Sequence, residues 1–119
     1  MAEKTKYTDA EIEEFRLIIV EKKQEAERLA KEFKQEADDI ILSPVGFKTI
    51  EEASEAASKK ELIDKHVKQL AFASSLNFAL MRIDNEHYGH CRDCGKLIPK
   101  ERLRVAPHST QCCDCKNLN

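Results

Sequence analysis

Apolar residues recur at steps of three, four and seven positions from residue 12 to residue 40. They are Ile12, Phe15, Ile19, Ala26, Leu29, Phe33 and Ile40. This spacing places them on one side of an α-helix and, with its repeat of seven, is typical of a coiled coil. Thr8 with Glu11 three positions later is a capping box, which marks a helix start. We therefore predict one helix over residues 8–42, roughly 50 Å long at about 1.5 Å per residue.

A second apolar pattern follows a break in the first. The break is the sequence Ser43-Pro44-Val45-Gly46, because proline and glycine interrupt a helix. Thr49 and Glu52 then form another capping box, which predicts a helix over residues 50–87. Its apolar positions are Ile63, Val67, Leu70, Ala73, Leu76, Leu80 and Ile83. Two long helices joined by a short polar loop predict an antiparallel hairpin, with an exposed tip near residues 43–53.

Composition and charge support helices and argue against nucleic-acid binding by the hairpin. The chain has 119 residues with only three Gly and three Pro, and residues 1–90 carry 14 basic and 19 acidic side chains. This net charge of −5 opposes contact with a phosphate backbone, whereas residues 91–119 carry a net +3.

Residues 1–9 are polar and the apolar run at 17–20 is too short to cross a bilayer. We expect a cytoplasmic protein with no membrane partner.

Four cysteines form two pairs with the spacing of metal ligands. Cys91 and Cys94 are separated by two residues, as are Cys112 and Cys115, and seventeen residues lie between the pairs. Zinc takes four thiolates in a tetrahedron, each about 2.3 Å from the metal. Gly95 follows the first pair, as a tight turn around the metal requires. In a reducing compartment such pairs more often hold a metal than a disulfide, so we predict one structural Zn²⁺ at these four cysteines.

The alternative interpretation of the cysteines is a set of free or redox-active thiols. Either Cys112 or Cys113 could belong to the second pair; the two-residue spacing to Cys115 selects Cys112 and leaves Cys113 as a free thiol.

Four thiolates leave no open coordination position for a reaction. The chain also lacks a Gly-rich phosphate loop, a GxSxG sequence and an HExxH sequence. We therefore predict that the protein is not an enzyme.

The residues around the cysteine pairs form a longer motif. It reads Tyr88-Gly89-His90-Cys91-Arg92-Asp93-Cys94-Gly95, then Ile98-Pro99-Lys100-Glu101-Arg102-Leu103, then Pro107, then Cys112-Cys113-Asp114-Cys115-Lys116. This stretch resembles the DksA/TraR zinc-finger family. The resemblance implies a bacterial transcription regulator that binds RNA polymerase directly and inserts a coiled-coil tip into its secondary channel. It also implies a structural zinc ion, a link to the stringent response, and the alarmone ppGpp as a candidate ligand.

The resemblance leaves the tip residues open between two alignments. The family's tip motif is D-x-x-D-x-A. Counting back from Cys91 places it at residues 48–53, where Lys48 replaces the first acid; the sequence pattern instead places it at residues 52–57. The same residues also suit an ordinary helix start. The candidate tip residues are Glu51, Glu52, Ala53 and Glu55. Because the chain ends four residues after Cys115, we do not expect the family's long C-terminal helix.

The sequence thus predicts a mainly α fold: a long antiparallel coiled-coil hairpin over residues 1–87 and a small C4 zinc finger over residues 88–119. Two other functions remain open. The C-x2-C-x17-C-x2-C spacing also resembles a DNA-binding GATA-like finger, with Lys96, Lys100, Arg102, Arg104 and Lys116 as basic residues. A coiled-coil interaction or stress-adaptor protein, whose hairpin pairs with a helical partner or with itself, is the third interpretation. The leading prediction expects no sequence-specific DNA binding.

Overall fold

The fold is helical. A computed structural model describes the backbone of residues 6–118 and the side chains of residues 6–116. It contains the helices α1 (Asp9–Asp38), α2 (Ile50–Asp84), α3 (Lys100–Val105) and α4 (Cys113–Leu118). Over this described range, strand pairing is limited to one isolated antiparallel bridge between His90 and Leu97. The predicted mainly α fold with two long helices is confirmed.

Helix α1 begins as predicted and ends early. The Thr8 hydroxyl accepts a hydrogen bond from the Glu11 amide at 3.2 Å, and the Glu11 carboxylate accepts one from the Thr8 amide at 2.9 Å. The helix ends at Asp38 instead of residue 42. Its last turn contains no basic residue, and Asp38 and Asp39 place negative charge where the helix dipole is already negative. This charge disfavours the extension of the helix to residue 42.

Helix α2 begins with a modified capping box and also ends early. The Thr49 hydroxyl accepts from the Glu52 amide at 3.0 Å, while the Glu52 carboxylate accepts from the Lys48 amide at 2.5 Å rather than from Thr49. The helix ends at Asp84, three residues before the predicted limit. There the His87 amide donates to the Arg82 carbonyl at 2.8 Å and the Glu86 amide to the Ile83 carbonyl at 3.1 Å. These two bonds form a Schellman motif.

Glu86 occupies the position of this motif that glycine normally takes. Its φ of 62° is left-handed, which costs an L-residue about 1–2 kcal/mol. Glu86→Gly is therefore expected to raise the free energy of unfolding by about 0.5–1 kcal/mol, after allowance for the greater freedom of glycine in the unfolded chain. The measurement is urea denaturation of the zinc-loaded protein. Glu86→Ala is the control: it removes the same carboxylate but keeps the Cβ, and an equal gain in this variant would contradict the backbone explanation.

The chain divides into two compact units, and each long helix contributes residues to both. The finger unit comprises Met1–Lys23 and Ser74–Asn119, and the loop unit comprises Gln24–Ala73. In the finger unit, an Arg16–Asp84 ion pair at 3.5 Å joins the start of α1 to the end of α2. The predicted division at residues 87 and 88 stays a prediction, and its outer limits, residues 1 and 119, lie outside the described part.

In the loop unit the two helices are antiparallel, but the predicted contact face of α2 is wrong. Ile63, Val67 and Leu70 are exposed by 44%, 55% and 47%. Leu62, His66 and Gln69 are half-buried instead, and His66 Nδ1 lies 2.7 Å from the carbonyl oxygen of Ala30 in α1.

The correct face follows a regular spacing that contains polar residues. Positions 62, 66, 69, 73, 76, 80 and 83 are separated by alternating steps of four and three, as a coiled coil requires. The predicted set kept only apolar residues and so lost this alternation before residue 73. The predictions of Ala73, Leu76 and Ile83 as buried positions are confirmed.

No helix of the described chain combines the length and the apolar character needed to cross a membrane.

The buried residues of α1 are those predicted at Phe15, Ile19 and Ala26, together with Ala30 and Ala37. In the finger unit, Phe15 and Ile19 are completely buried, which provides the core on which the cysteine-bearing segment rests.

Candidate metal centre

The first cysteine pair lies in a tight turn. The Cys91 amide donates to the Lys96 carbonyl at 2.8 Å, and the Gly95 amide donates back to the Cys91 carbonyl at 2.9 Å. Gly95 has a φ of 76° and a Cβ at this position would meet no atom within 4 Å. The glycine is thus required by the backbone angle and not by space. This turn brings the Cys94 side chain round to the same side as Cys91.

The second cysteine pair lies at the start of α4. Cys112 precedes the helix, and its carbonyl accepts from the Lys116 amide at 3.0 Å. Cys115 follows one turn later and is half-buried. The Arg92 amide donates to the Thr110 carbonyl at 2.8 Å, which ties the first turn to the segment leading into α4. This bond helps to hold the two pairs close together.

The four sulfurs fit a single tetrahedral metal ion. The Sγ atoms of Cys91, Cys94, Cys112 and Cys115 all lie within 4.8 Å of one another. Cys94 Sγ and Cys112 Sγ are 3.7 Å apart, close to the separation of about 3.8 Å that two ligands in a zinc tetrahedron have at a bond length of about 2.3 Å. Cys113 is exposed and is not part of this group; its Sγ lies 3.9 Å from Arg102 Nη1.

The electrostatics of the cluster favour a bound cation. Hydrogen bonding from the Cys112 backbone amide is the main cause that lowers the pKa of the Cys91 thiol to about 6, so this ligand is readily ionised at neutral pH. The neighbouring sulfurs of Cys112 and Cys91 raise the pKa of Cys115. Thiolates this close repel one another, and a divalent cation at their centre is what allows all four to be charged together.

An aromatic cluster supports the first cysteine turn, and the sequence analysis did not identify it. Phe15 stacks edge-on with Tyr7 at 5.2 Å between ring centres and lies 5.7 Å from Tyr88. The Tyr88 hydroxyl donates to the Pro107 carbonyl at 2.8 Å, and the Tyr7 hydroxyl donates to the Ile98 carbonyl. Burial raises the pKa of Tyr88, so its hydroxyl stays a donor at physiological pH.

Gly89 is the position where this cluster comes closest to the backbone. A Cβ there would lie 3.0 Å from Cδ2 of the Tyr7 ring, and the φ of Gly89 is 89°. Both the packing and the backbone angle therefore demand glycine. The signal in the sequence is the Tyr88-Gly89 pair immediately before the first cysteine.

All three basic side chains of α3 form contacts inside the finger unit. Lys100 Nζ pairs with the Glu11 carboxylate at 3.0 Å. A guanidinium nitrogen of Arg104 pairs with the Glu14 carboxylate at 3.3 Å. Arg102 Nε donates to the Gln111 carbonyl at 3.0 Å. The positive charge that suggested a DNA-binding finger is therefore largely used to hold α3 against α1 and the second cysteine segment.

The candidate tip residues lie in the loop unit, in the first turns of α2. Glu51, Ala53 and Glu55 are exposed, whereas Glu52 is half-buried with its carboxylate on the Lys48 amide. Glu51 and Glu55 are four positions apart on the helix and so share a face. The alignment at residues 48–53 contains Glu51, and the alignment at residues 52–57 contains Glu55.

The comparisons with known proteins agree with this geometry. Residues 87–118 match the family model of the prokaryotic dksA/traR C4-type zinc finger. The structure of transcription factor DksA2 from Pseudomonas aeruginosa is similar over 92% of this chain and 83% of that chain, with a TM-score of 0.80 and 21% sequence identity.

A protein of Aquifex aeolicus (strain VF5), described only as uncharacterized, is 28% identical over 97 residues. This match covers 81% of the present chain but 59% of the relative's length. The predicted resemblance and the predicted zinc cofactor are confirmed: residues 87–118 match the zinc finger of the DksA/TraR family, four cysteines are placed to hold one metal ion, and the fold is similar to that of DksA2.

Proposed function

We propose that this chain is a bacterial transcription regulator that acts in the cytoplasm by binding RNA polymerase directly. The observation that supports it most is the dksA/traR finger in a chain with the fold of a transcription factor. The four thiolates leave zinc no open position, so its role is to hold the finger unit together. The function then depends on surfaces, and the protein is not an enzyme.

We further propose that the loop unit provides the part that enters the secondary channel of the polymerase. Glu51 and Glu55 are the acids available at the start of α2, because both are exposed and neither has a hydrogen bond or ion pair among the contacts of the described residues. Glu52 serves the capping of α2. Carboxylates brought near the metal-dependent centre of the polymerase would alter its electrostatics, which gives the tip a physical means of regulation.

Direct DNA recognition is a weaker explanation. Lys100, Arg102 and Arg104 contact other parts of the finger unit, so few basic side chains are left for phosphates. A protein that neutralised many phosphates would bind duplex DNA with an affinity that falls steeply with salt concentration. We expect no such binding.

The first experiment is a binding measurement between the zinc-loaded protein and purified bacterial RNA polymerase. We expect a complex that forms without DNA, detected by sedimentation or by interferometry with immobilised polymerase. Duplex DNA alone serves as the comparison ligand. If the protein bound DNA but not polymerase, the proposed function would be wrong.

The tip acids are tested by transcription in vitro. Glu51→Ala and Glu55→Ala are expected to reduce the effect of the protein on transcription several-fold, while each variant still binds polymerase. Glu36→Ala, which removes an exposed acid of α1 in the same unit, is the matched control and should act as the wild type. Glu52→Ala removes the carboxylate that accepts from the Lys48 amide, so its effect on transcription is expected to come from a weaker start of α2.

The same reactions run with and without ppGpp test whether it is a second ligand. If every tip variant regulated transcription as the wild type does, the assignment of the tip acids would be wrong, while the proposal of polymerase binding would stand.

A further inference from the structure

In the loop unit, α2 has a second set of apolar side chains beside the face that contacts α1. Ile63, Val67 and Leu70 are exposed by 44%, 55% and 47%, and they are separated by steps of four and three. Ala56 continues the series seven positions before Ile63. This is the spacing of a coiled-coil seam, displaced by one residue from the seam that contacts α1. We call these four residues the outer seam.

The outer seam is a surface that another helix fits. Single exposed apolar residues are common in proteins, but three large ones at this spacing form a continuous stripe along the helix. Helices with such a stripe bury it against a second helix. Within the described residues of the loop unit, the other helix is α1, which already occupies the neighbouring face of α2. The outer seam is therefore placed to receive a helix from another molecule.

One edge of the outer seam is engaged within the loop unit. Lys59 Nζ donates to the Ile40 carbonyl at 2.8 Å. His66 Nδ1 lies 2.7 Å from the Ala30 carbonyl oxygen. Both polar side chains are thus directed towards α1 and the residues that follow it, and they contribute little to a contact on the outer seam.

The other edge of the outer seam carries one base and one acid, Lys60 and Asp64. Both side chains are exposed, and neither has a hydrogen bond or an ion pair among the contacts of the described residues. They are four positions apart, but a base that precedes an acid is the less favourable order for a pair within one helix. This edge carries no net charge of its own, so it offers no particular attraction to anionic lipid or to nucleic-acid phosphates.

A second copy of α2 matches both the apolar stripe and this edge when the two helices are antiparallel. With a twofold axis near Ile63, the two Ile63 side chains meet, and Leu70 of each copy packs on Ala56 of the other, because each lies seven positions from the axis. Lys60 of each copy then lies on the same edge as Asp64 of the other, about 3 Å apart along the helix pair. Opposite charges face each other twice, so the surface is complementary to itself.

We propose that the protein forms an antiparallel homodimer through the outer seam of α2, with Lys60 of each copy paired with Asp64 of the other. The contact comprises a few apolar layers along one helix, which is small beside the roughly 1,200–2,000 Å² that stable interfaces bury. The dimer is therefore weak and depends on protein concentration. This inference does not depend on the proposed function.

Sedimentation of the zinc-loaded chain tests the dimer. We expect the average mass to rise from that of one chain towards that of two between about 10 µM and about 500 µM protein. Val67→Glu places a charge in the seam and is expected to weaken dimerisation by at least about tenfold. Leu17→Glu is the matched control and should dimerise as the wild type does, because Leu17 is 63% exposed in α1 within the finger unit. Both variants should keep the helical signal in circular dichroism.

Reversal of the edge charges tests the pairing. Lys60→Asp and Asp64→Lys should each weaken self-association several-fold, because each substitution brings like charges together across the interface. An equimolar mixture of the two variants should associate as the wild type does, since both pairs in the mixed dimer join opposite charges. If the single variants dimerised as well as the wild type, or if the mixture failed to recover, the antiparallel pairing would be wrong.

Two further results would overturn the dimer itself. A wild type that stayed monomeric at about 500 µM would show that the outer seam does not join two copies. If that monomer bound vesicles of anionic lipid and Val67→Glu lost this binding, the seam would belong to a membrane surface. Equal dimerisation of the wild type and Val67→Glu would place the interface elsewhere. Polymerase binding is measured separately, so the proposed function stands or falls on its own test.

Discussion

Removal of zinc is expected to unfold the finger unit. Binding of structural zinc is worth about 10–16 kcal/mol in zinc-finger peptides, which is comparable with the whole stability of an ordinary domain at about 5–15 kcal/mol. The segment from Tyr88 to Cys115 contains only two short helices and one isolated bridge, so little else can hold the two cysteine pairs together. Chelation should therefore lower the helical signal in circular dichroism and abolish the cooperative thermal transition of this unit.

Single substitutions separate the ligands from the spare thiol. Cys91→Ala should reduce bound zinc, measured by metal analysis of the purified protein, from one equivalent per chain to well below one. Cys113→Ser should keep the full equivalent, because Cys113 is exposed and lies outside the group of four sulfurs. A full equivalent of zinc in Cys91→Ala, with unchanged thermal unfolding, would show that the assigned ligand set is wrong.

Phe15→Ala is expected to be the most damaging substitution outside the metal site. The ring is completely buried and contacts the rings of Tyr7 and Tyr88. Its removal leaves a cavity and breaks both aromatic contacts, which should lower the free energy of unfolding by about 3–5 kcal/mol. Urea denaturation of the zinc-loaded protein measures this change.

The control for this substitution lies two residues away on the same helix. Leu17 is 63% exposed, so Leu17→Ala should change the free energy of unfolding by less than about 0.5 kcal/mol. Equal losses in the two variants would mean that the substitutions act through helix propensity. A loss below about 1 kcal/mol in Phe15→Ala would show that the aromatic cluster does not stabilise the finger unit.

The features that could be predicted from the sequence depend on local spacing. The cysteine pairs, the glycine after the first pair and the capping box at Thr8 each involve residues within a few positions, and the structure places them as local chemistry requires. The buried face of α1 was also readable, because Phe15 and Ile19 lie on a regular repeat. Such features need no knowledge of what packs against them.

The features that could not be predicted depend on a distant partner. In α2 the contact face includes His66 and Gln69, because the position of a side chain on the helix, and not its hydrophobicity, decides whether it meets α1. The end of α1 at Asp38 left a longer and more apolar loop than expected. Gly89 is explained by a tyrosine ring more than eighty positions earlier in the chain, which no local pattern could indicate.

The hydrogen bond from Tyr7 to Ile98 has a consequence for how the protein is made. It joins residues 91 positions apart, whereas the contacts of Lys59 and His66 in the loop unit join residues 19 and 36 positions apart. The loop unit is the first of the two units to leave the ribosome completely, so its helices are expected to pair during synthesis. The start of α1 must wait until the cysteine segment emerges, and we therefore expect zinc capture late in folding.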